Sequence, residues 1–194
     1  RRILQLPCYL RYFDLLLAIT STDDQEPLIP IGFESLERFQ QQLQVTPSEL
    51  LVLPNPKLTD VLGIDGKRLL TSMHTAHILY TWTELGDAEK VADYVDCYPF
   101  DVLRLQQNAT KLLKALGDVE HVLHQPPDAD TSILPVDILP LRERISSLEF
   151  LIQSGLPSPA ASLASIKGIG PKLARSLHGN RIRDIEDLAN TDAL

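Results

Sequence analysis

No apolar run in this sequence is longer than the five residues LLLAI, Leu15 to Ile19, far short of the ~20 that a membrane-spanning helix needs. No transmembrane segment or membrane partner is expected. Cysteine is scarce: Cys8 and Cys97 are the only two, they lie far apart, and they form no Cys-x-x-Cys pair. Neither a zinc site nor a disulfide framework is signalled, and a reducing, intracellular compartment fits. Glycine numbers only nine and β-branched runs are few, while hydrophobic residues make up 44% and charged residues 23%. That balance implies a mostly helical globule with a real core. The chain opens on Arg1 without the order of a signal peptide, and we read it as a piece of something longer.

Catalytic patterns are missing as well. The sequence has no G-x-x-x-x-G-K followed by Ser or Thr, no G-x-S-x-G, no H-E-x-x-H, and no paired acid with a plausible base. No enzyme activity within this chain and no cofactor of its own are expected. His74 and His77 repeat the spacing of His121 and His124. With no carboxylate at matching spacing, they read as packed or surface residues instead of metal ligands.

What is present is organised in helical patterns. Residues 1 to 64 alternate apolar stretches (YFDLLLAI, FESLERFQQQL) with a polar turn and the Pro-rich connector VLPNPKL, which suggests several short helices. From Asp65, Leu69, Met73, Ala76, His77 and Tyr80 share one helical face, and Gly86 stops it. Tyr80 and Trp82 read as core. After Pro99, Asp101 can cap a helix whose seam is Val102, Leu105, Ala109, Leu112, Leu116, Val119 and Leu123. Run from Asp101 to Leu123, that helix spans about 34 Å. Arg104 and Lys111 lie two turns apart on nearly one bearing, so both could reach one extended ligand. Residues 125 to 140 hold four prolines and read as a surface connector. Leu141, Ile145, Leu148 and Ile152 then mark a further helix, and a boundary near Ser154 divides a helical bundle, 1–154, from a small module, 155–194.

The net charge of -8 argues against a surface coated all round by nucleic acid. Yet between Gly155 and Arg183 there is no Asp or Glu, while Lys167, Lys172, Arg175, Arg181 and Arg183 give five positive charges. At the centre stands SIKGIGPKLARSL, residues 165 to 177. Gly168 can end one helix in a left-handed conformation, Ile169 can tuck between two helices, and Pro171 suits the first turn of the next. The amides of Gly168, Ile169 and Gly170 are then expected to point outward at a helix N-terminus, an anion site made of backbone.

The pattern Leu163, Ile166, Gly168, Ile169, Gly170, Ala174, Leu177 resembles a helix-hairpin-helix motif. The resemblance implies sequence-independent binding of a nucleic-acid backbone. More of the chain, "LRERISSLEFLIQSGLP" and then "SLASIKGIGPKLARSLHGNRIRDIEDLAN" behind a long helix, resembles the C-terminus of the archaeal Hel-type DNA repair helicases, which are Ski-like superfamily 2 enzymes. The likeness runs from about residue 10 and is best from Lys67 onward. It implies an all-α architecture, a multi-helix ratchet-like bundle followed by a small helix-hairpin-helix module. It also implies an upstream motor carrying ATP and Mg²⁺. In that family an Arg and an aromatic seven residues apart on the ratchet's long helix touch the bases. Arg104 matches the first and Lys111 stands in place of the second, which exchanges stacking of about 1–3 kcal/mol per base for an electrostatic contact.

The site expected from the sequence is therefore Lys167, Gly168, Ile169, Gly170, Lys172 and Arg175 on the hairpin, with Arg104 and Lys111 on the long helix. Its partners would be single-stranded or branched nucleic acid and the motor domains, in the cytoplasm or nucleoid. The alternative is a helical scaffold of a helicase or repair complex that docks proteins, its hairpin packed on a partner.

Overall fold

The computed structural model describes residues 12–25, 28–31, 38–39, 65–123 and 139–191, the side chains of 120–123 and 139–140 excepted. The fold is all-α: among the described residues there is no strand. Its helices are α1 (Tyr12–Thr20), α2 (Gly66–Leu85), α3 (Ala88–Val95), α4 (Pro99–Leu123), α5 (Leu139–Ser154), α6 (Ala161–Ala164), α7 (Pro171–Gly179) and α8 (Ile185–Asn190), with a 3-10 turn at Ser158–Ala160. The run at 33–43 is described only at Arg38 and Phe39. The connectors at 52–58 and 125–138, Cys8 and the side chains of His121 and His124 lie outside the described residues.

The local signals account for the helix ends. Asp65 caps α2 by accepting from the Arg68 amide at 2.7 Å, and Gly86, at φ 58°, closes it by donating its N–H to the Trp82 carbonyl. The left-handed turn at Gly86 is one that a β-carbon disfavours. α4 begins two residues before the expected Asp101 cap, because the fixed φ of Pro99 suits a first helical position. At 25 residues it is about 37 Å long. Its seam is corrected too: Val102, Leu105, Ala109 and Leu113 are fully buried, Leu112 and Leu116 only partly, and Val119 is half exposed. A 3.6-residue period drifts from a seven-residue seam by about 20° per heptad, which brings Leu113 inward.

α1, α2, α3, α4 and α5 share one core, in which α4 packs on α5 and α1 on α2. Each fully buried Leu, Ile or Phe there contributes about 1.5–3 kcal/mol. Thr20 and Ser72, both buried, exchange hydroxyl-to-carbonyl bonds at 3.0 and 3.1 Å, tying α1 to α2. The Trp82 indole donates to the Ile152 carbonyl at 2.8 Å, so α2 satisfies the end of α5. A second, smaller cluster holds Leu151, Leu156, Ala160, Leu163 and Ala174, against which Ile166, Ile169, Leu177, Ile182 and Leu188 pack. Among the described residues, five buried side chains against eighteen in the first make this region dependent on its neighbour.

Candidate nucleic-acid interface

Residues 161 to 179 form helix, hairpin and helix. The hairpin is a turn closed by the Ile169 amide on the Ile166 carbonyl at 2.9 Å. Gly168 occupies its third position at φ 95°, the left-handed conformation that a type II turn requires there. This corrects two expectations. Gly168 does not end the preceding helix, which stops at Ala164. The Ile169 amide is not free, because closing so tight a turn consumes it. Ile169 instead lends its side chain to the second cluster.

The anion-binding capacity moves one step along the chain. Gly170 is the N-cap of α7 and has no side chain to cap with, and Pro171 has no amide. The first-turn amides of Lys172 and Leu173, which an α-helix leaves without internal partners, therefore face outward uncapped, and no acid lies in that turn. A β-carbon built on Gly168 or Gly170 would meet nothing within 4 Å, so both glycines border open space. Lys167 and Lys172 are exposed on either side, and among the described residues no acid pairs with them. The result is an exposed helix start flanked by two lysines, chemically suited to a phosphate.

Residues 160–193 match the SAM-like helix-hairpin-helix tandem. No curated protein matches the chain. The match points to nucleic-acid binding by this helix-hairpin-helix module and spans its second half, where Asp184 caps α8 by accepting from the Asp187 amide at 2.9 Å. Sequence reasoning counted Arg181 and Arg183 as charges without placing them on the site. Both are exposed in the turn before α8, and Arg181 is held at φ 69°.

The remaining expected residues lie elsewhere. Arg175 turns away from the hairpin and donates to the carbonyls of Glu84 at 3.0 Å and Thr83 at 3.5 Å, the C-terminal end of α2. A cation there satisfies orphan carbonyls and complements the helix dipole. Burial pushes its pKa down, while Glu84 and Asp87 oppose that. Burial likewise raises the Glu84 carboxyl against the pull of His178 and Arg175. The guanidinium lies where a β-carbon of Gly86 would be, and Gly86 in turn abuts Gly155, whose own β-carbon would press on the Trp82 ring. Arg175 is thus a latch between module and bundle.

Arg104 is tied to Asp101 at 3.0 Å and lies over the Phe100 ring, 5.9 Å from its centroid. Lys111 and Lys114 are exposed further along α4. The structure thus gathers Lys167, Gly168, Ile169, Gly170 and Lys172 on one turn, and leaves Arg175, Arg104 and Lys111 outside it.

His74 and His77 are buried. His74 places Nδ1 3.1 Å from the Ile29 carbonyl, and the His77 ring packs near Phe39 and Tyr94. Desolvation drives the His77 pKa down to about 4, helped by His74. Among the described residues no cluster of three or more potential metal ligands occurs, and no helix is long and apolar enough to cross a membrane.

Proposed function

We propose that this chain is the nucleic-acid-binding C-terminal accessory region of an ATP-dependent superfamily 2 helicase. In this reading the hairpin holds a phosphate of the strand, and the outer face of α4 at Lys111, away from the engaged Arg104, offers a second electrostatic contact. The chain itself has no ATPase; ATP and Mg²⁺ belong to the upstream motor. The observation that carries the reading is the uncapped start of α7 beside two open glycines and the exposed Lys167 and Lys172, which no acid pairs with among the described residues. Backbone amides and lysines contact phosphate without reading bases, so binding is expected to be indifferent to sequence. The hairpin then serves as a guide or brake while the motor moves the strand, and an intracellular, nucleoid-associated location follows.

The test is fluorescence anisotropy with labelled single strands across a salt series. Binding should follow a log-log salt slope of about -0.7 per phosphate engaged. The paired substitution Lys167→Ala with Lys172→Ala should lower affinity about 10- to 100-fold at low salt and flatten the slope by roughly 1.4. An absence of binding at low salt would overturn the hairpin reading. ATP turnover stimulated by nucleic acid would overturn the assignment of hydrolysis to an upstream motor. If the double substitution leaves affinity unchanged while a protein partner is still bound, the scaffold reading replaces this one.

A further inference from the structure

The bend between α3 and α4 carries chemistry that the hairpin does not use. α3 ends on Asp96, held left-handed at φ 60° with its amide on the Ala92 carbonyl. The Tyr98 carbonyl accepts from the amides of Asp101 at 2.9 Å and Val102 at 3.3 Å. Backbone bonds thus fix both sides of the short segment Cys97-Tyr98-Pro99. Two rings project from this bend. Tyr98 is 77% exposed and Phe100 71%, with Tyr94 and Leu103 partly exposed at their margin. Phe100 falls off the apolar period of α4, whose buried face begins at Val102, and Tyr98 precedes the helix and is exposed. Exposed large aromatics held on an ordered backbone, with no role in the core, mark an interaction surface.

The charge around them selects the occupant. From Asp87 to Arg104 the chain has five acids and two bases. Both bases are already engaged, Lys90 with Asp87 at 3.8 Å and Arg104 with Asp101 at 3.0 Å. Burial pushes the Cys97 thiol up to about 11, and the charges of Asp101 and Asp96 add to it. Rings alone could stack bases, but the accompanying phosphates would then run within a screening length of ~8–10 Å of this negative field. A polypeptide with apolar anchors flanked by Lys or Arg meets the rings and the acids together.

We propose that the shoulder formed by Tyr98 and Phe100 is the docking site for a basic, amphipathic segment of a partner protein. This does not depend on the hairpin. The test pans a phage-displayed library of random 16-residue peptides against the full 194-residue chain. Enriched peptides are expected to combine aromatic or aliphatic anchors with Lys and Arg and to weaken as salt rises. They should lose at least 10-fold in affinity on Tyr98→Ala with Phe100→Ala. The same variant should keep the thermal melt and the oligothymidine affinity of the parent, while Lys167→Ala with Lys172→Ala leaves peptide affinity unchanged. Three results would overturn the proposal: no enriched peptide, enriched peptides that ignore the loss of both rings, or oligothymidine affinity that falls 10-fold with the rings.

Discussion

At Pro99 and at Pro171 the chain enters a helix from an exposed bend that contains a residue of positive φ, Asp96 at 60° before the first and Gly168 at 95° before the second. The backbone device is similar and the decoration is opposite. Ahead of α4, Asp101 lies in the first turn, where a carboxylate complements the positive end of the dipole, and bulky rings fill the approach. Ahead of α7 there is no acid, the N-cap is a glycine, and lysines flank the opening. One helix start supplies its own anion, and the other is built to receive one. Net charge conceals this division, because -8 is the sum of an acidic bundle and a cationic turn.

What lies beneath each bend sharpens the contrast most. Behind Tyr94 sits His77, 6.4 Å away between ring centroids, buried, and with neither ring nitrogen hydrogen-bonded among the described residues. Its pKa falls from 6.5 to about 4 through desolvation. The unfolded chain therefore takes up the proton first. The stabilisation is complete above pH ~6.5 and is lost as pH falls toward 4, an effect of about 3 kcal/mol. Urea melts at pH 7 and pH 4 should differ by about 3 kcal/mol more in the native chain than in His77→Phe. Equal pH dependence in the two would show that His77 does not stay neutral in the fold.

The latch between the two regions comes next in size. Arg175→Ala removes hydrogen bonds from a charged group to two helix-end carbonyls, and partial exposure reduces their worth to about 1–2 kcal/mol. Gly86→Ala should cost at least as much, since it strains a left-handed position and places a methyl group where the guanidinium lies. Both are expected to lower the melting temperature while the hairpin keeps its phosphate contact. An affinity loss in Arg175→Ala as large as that of the double lysine variant would return Arg175 to the binding face.

These positions also show what was legible beforehand. The all-α fold, the C-terminal end of α2 and the helix-hairpin-helix followed from local signals: apolar periodicity, Gly86 as stop, and glycines ahead of Pro171. Such features depend on a few neighbouring residues and on apolar periodicity. Arg175 could not be separated from Lys172 in the same way. Both are cations on the first turns of α7, and only the packing of Gly86 against Gly155 decides that one meets carbonyls while the other meets solvent. Ile169 was misread for a local reason, since a turn closed by its amide and a turn with that amide free use the same residues. The aromatic bend had a signal that went unused: Tyr98 and Phe100 flank a proline, and Phe100 falls off the seam that starts at Val102.

The smallest expected effect separates the two glycines of the hairpin, whose added β-carbons would both enter open space. Gly168 sits at φ 95°, so Gly168→Ala carries backbone strain of about 1–2 kcal/mol and should lower stability by that amount. Gly170 has φ -80°, a conformation any residue adopts, and Gly170→Ala should shift stability by no more than about 0.5 kcal/mol. Its methyl group would nevertheless stand at the mouth of the α7 amides and keep a phosphate at a distance. Affinity for single strands should fall several-fold in Gly170→Ala with the melt unchanged, whereas Gly168→Ala should show the reverse emphasis, a lower melt and a modest binding loss at temperatures where it is folded. Unchanged affinity in Gly170→Ala would mean that the strand is held by the lysine side chains alone and that the amides of Lys172 and Leu173 take no part.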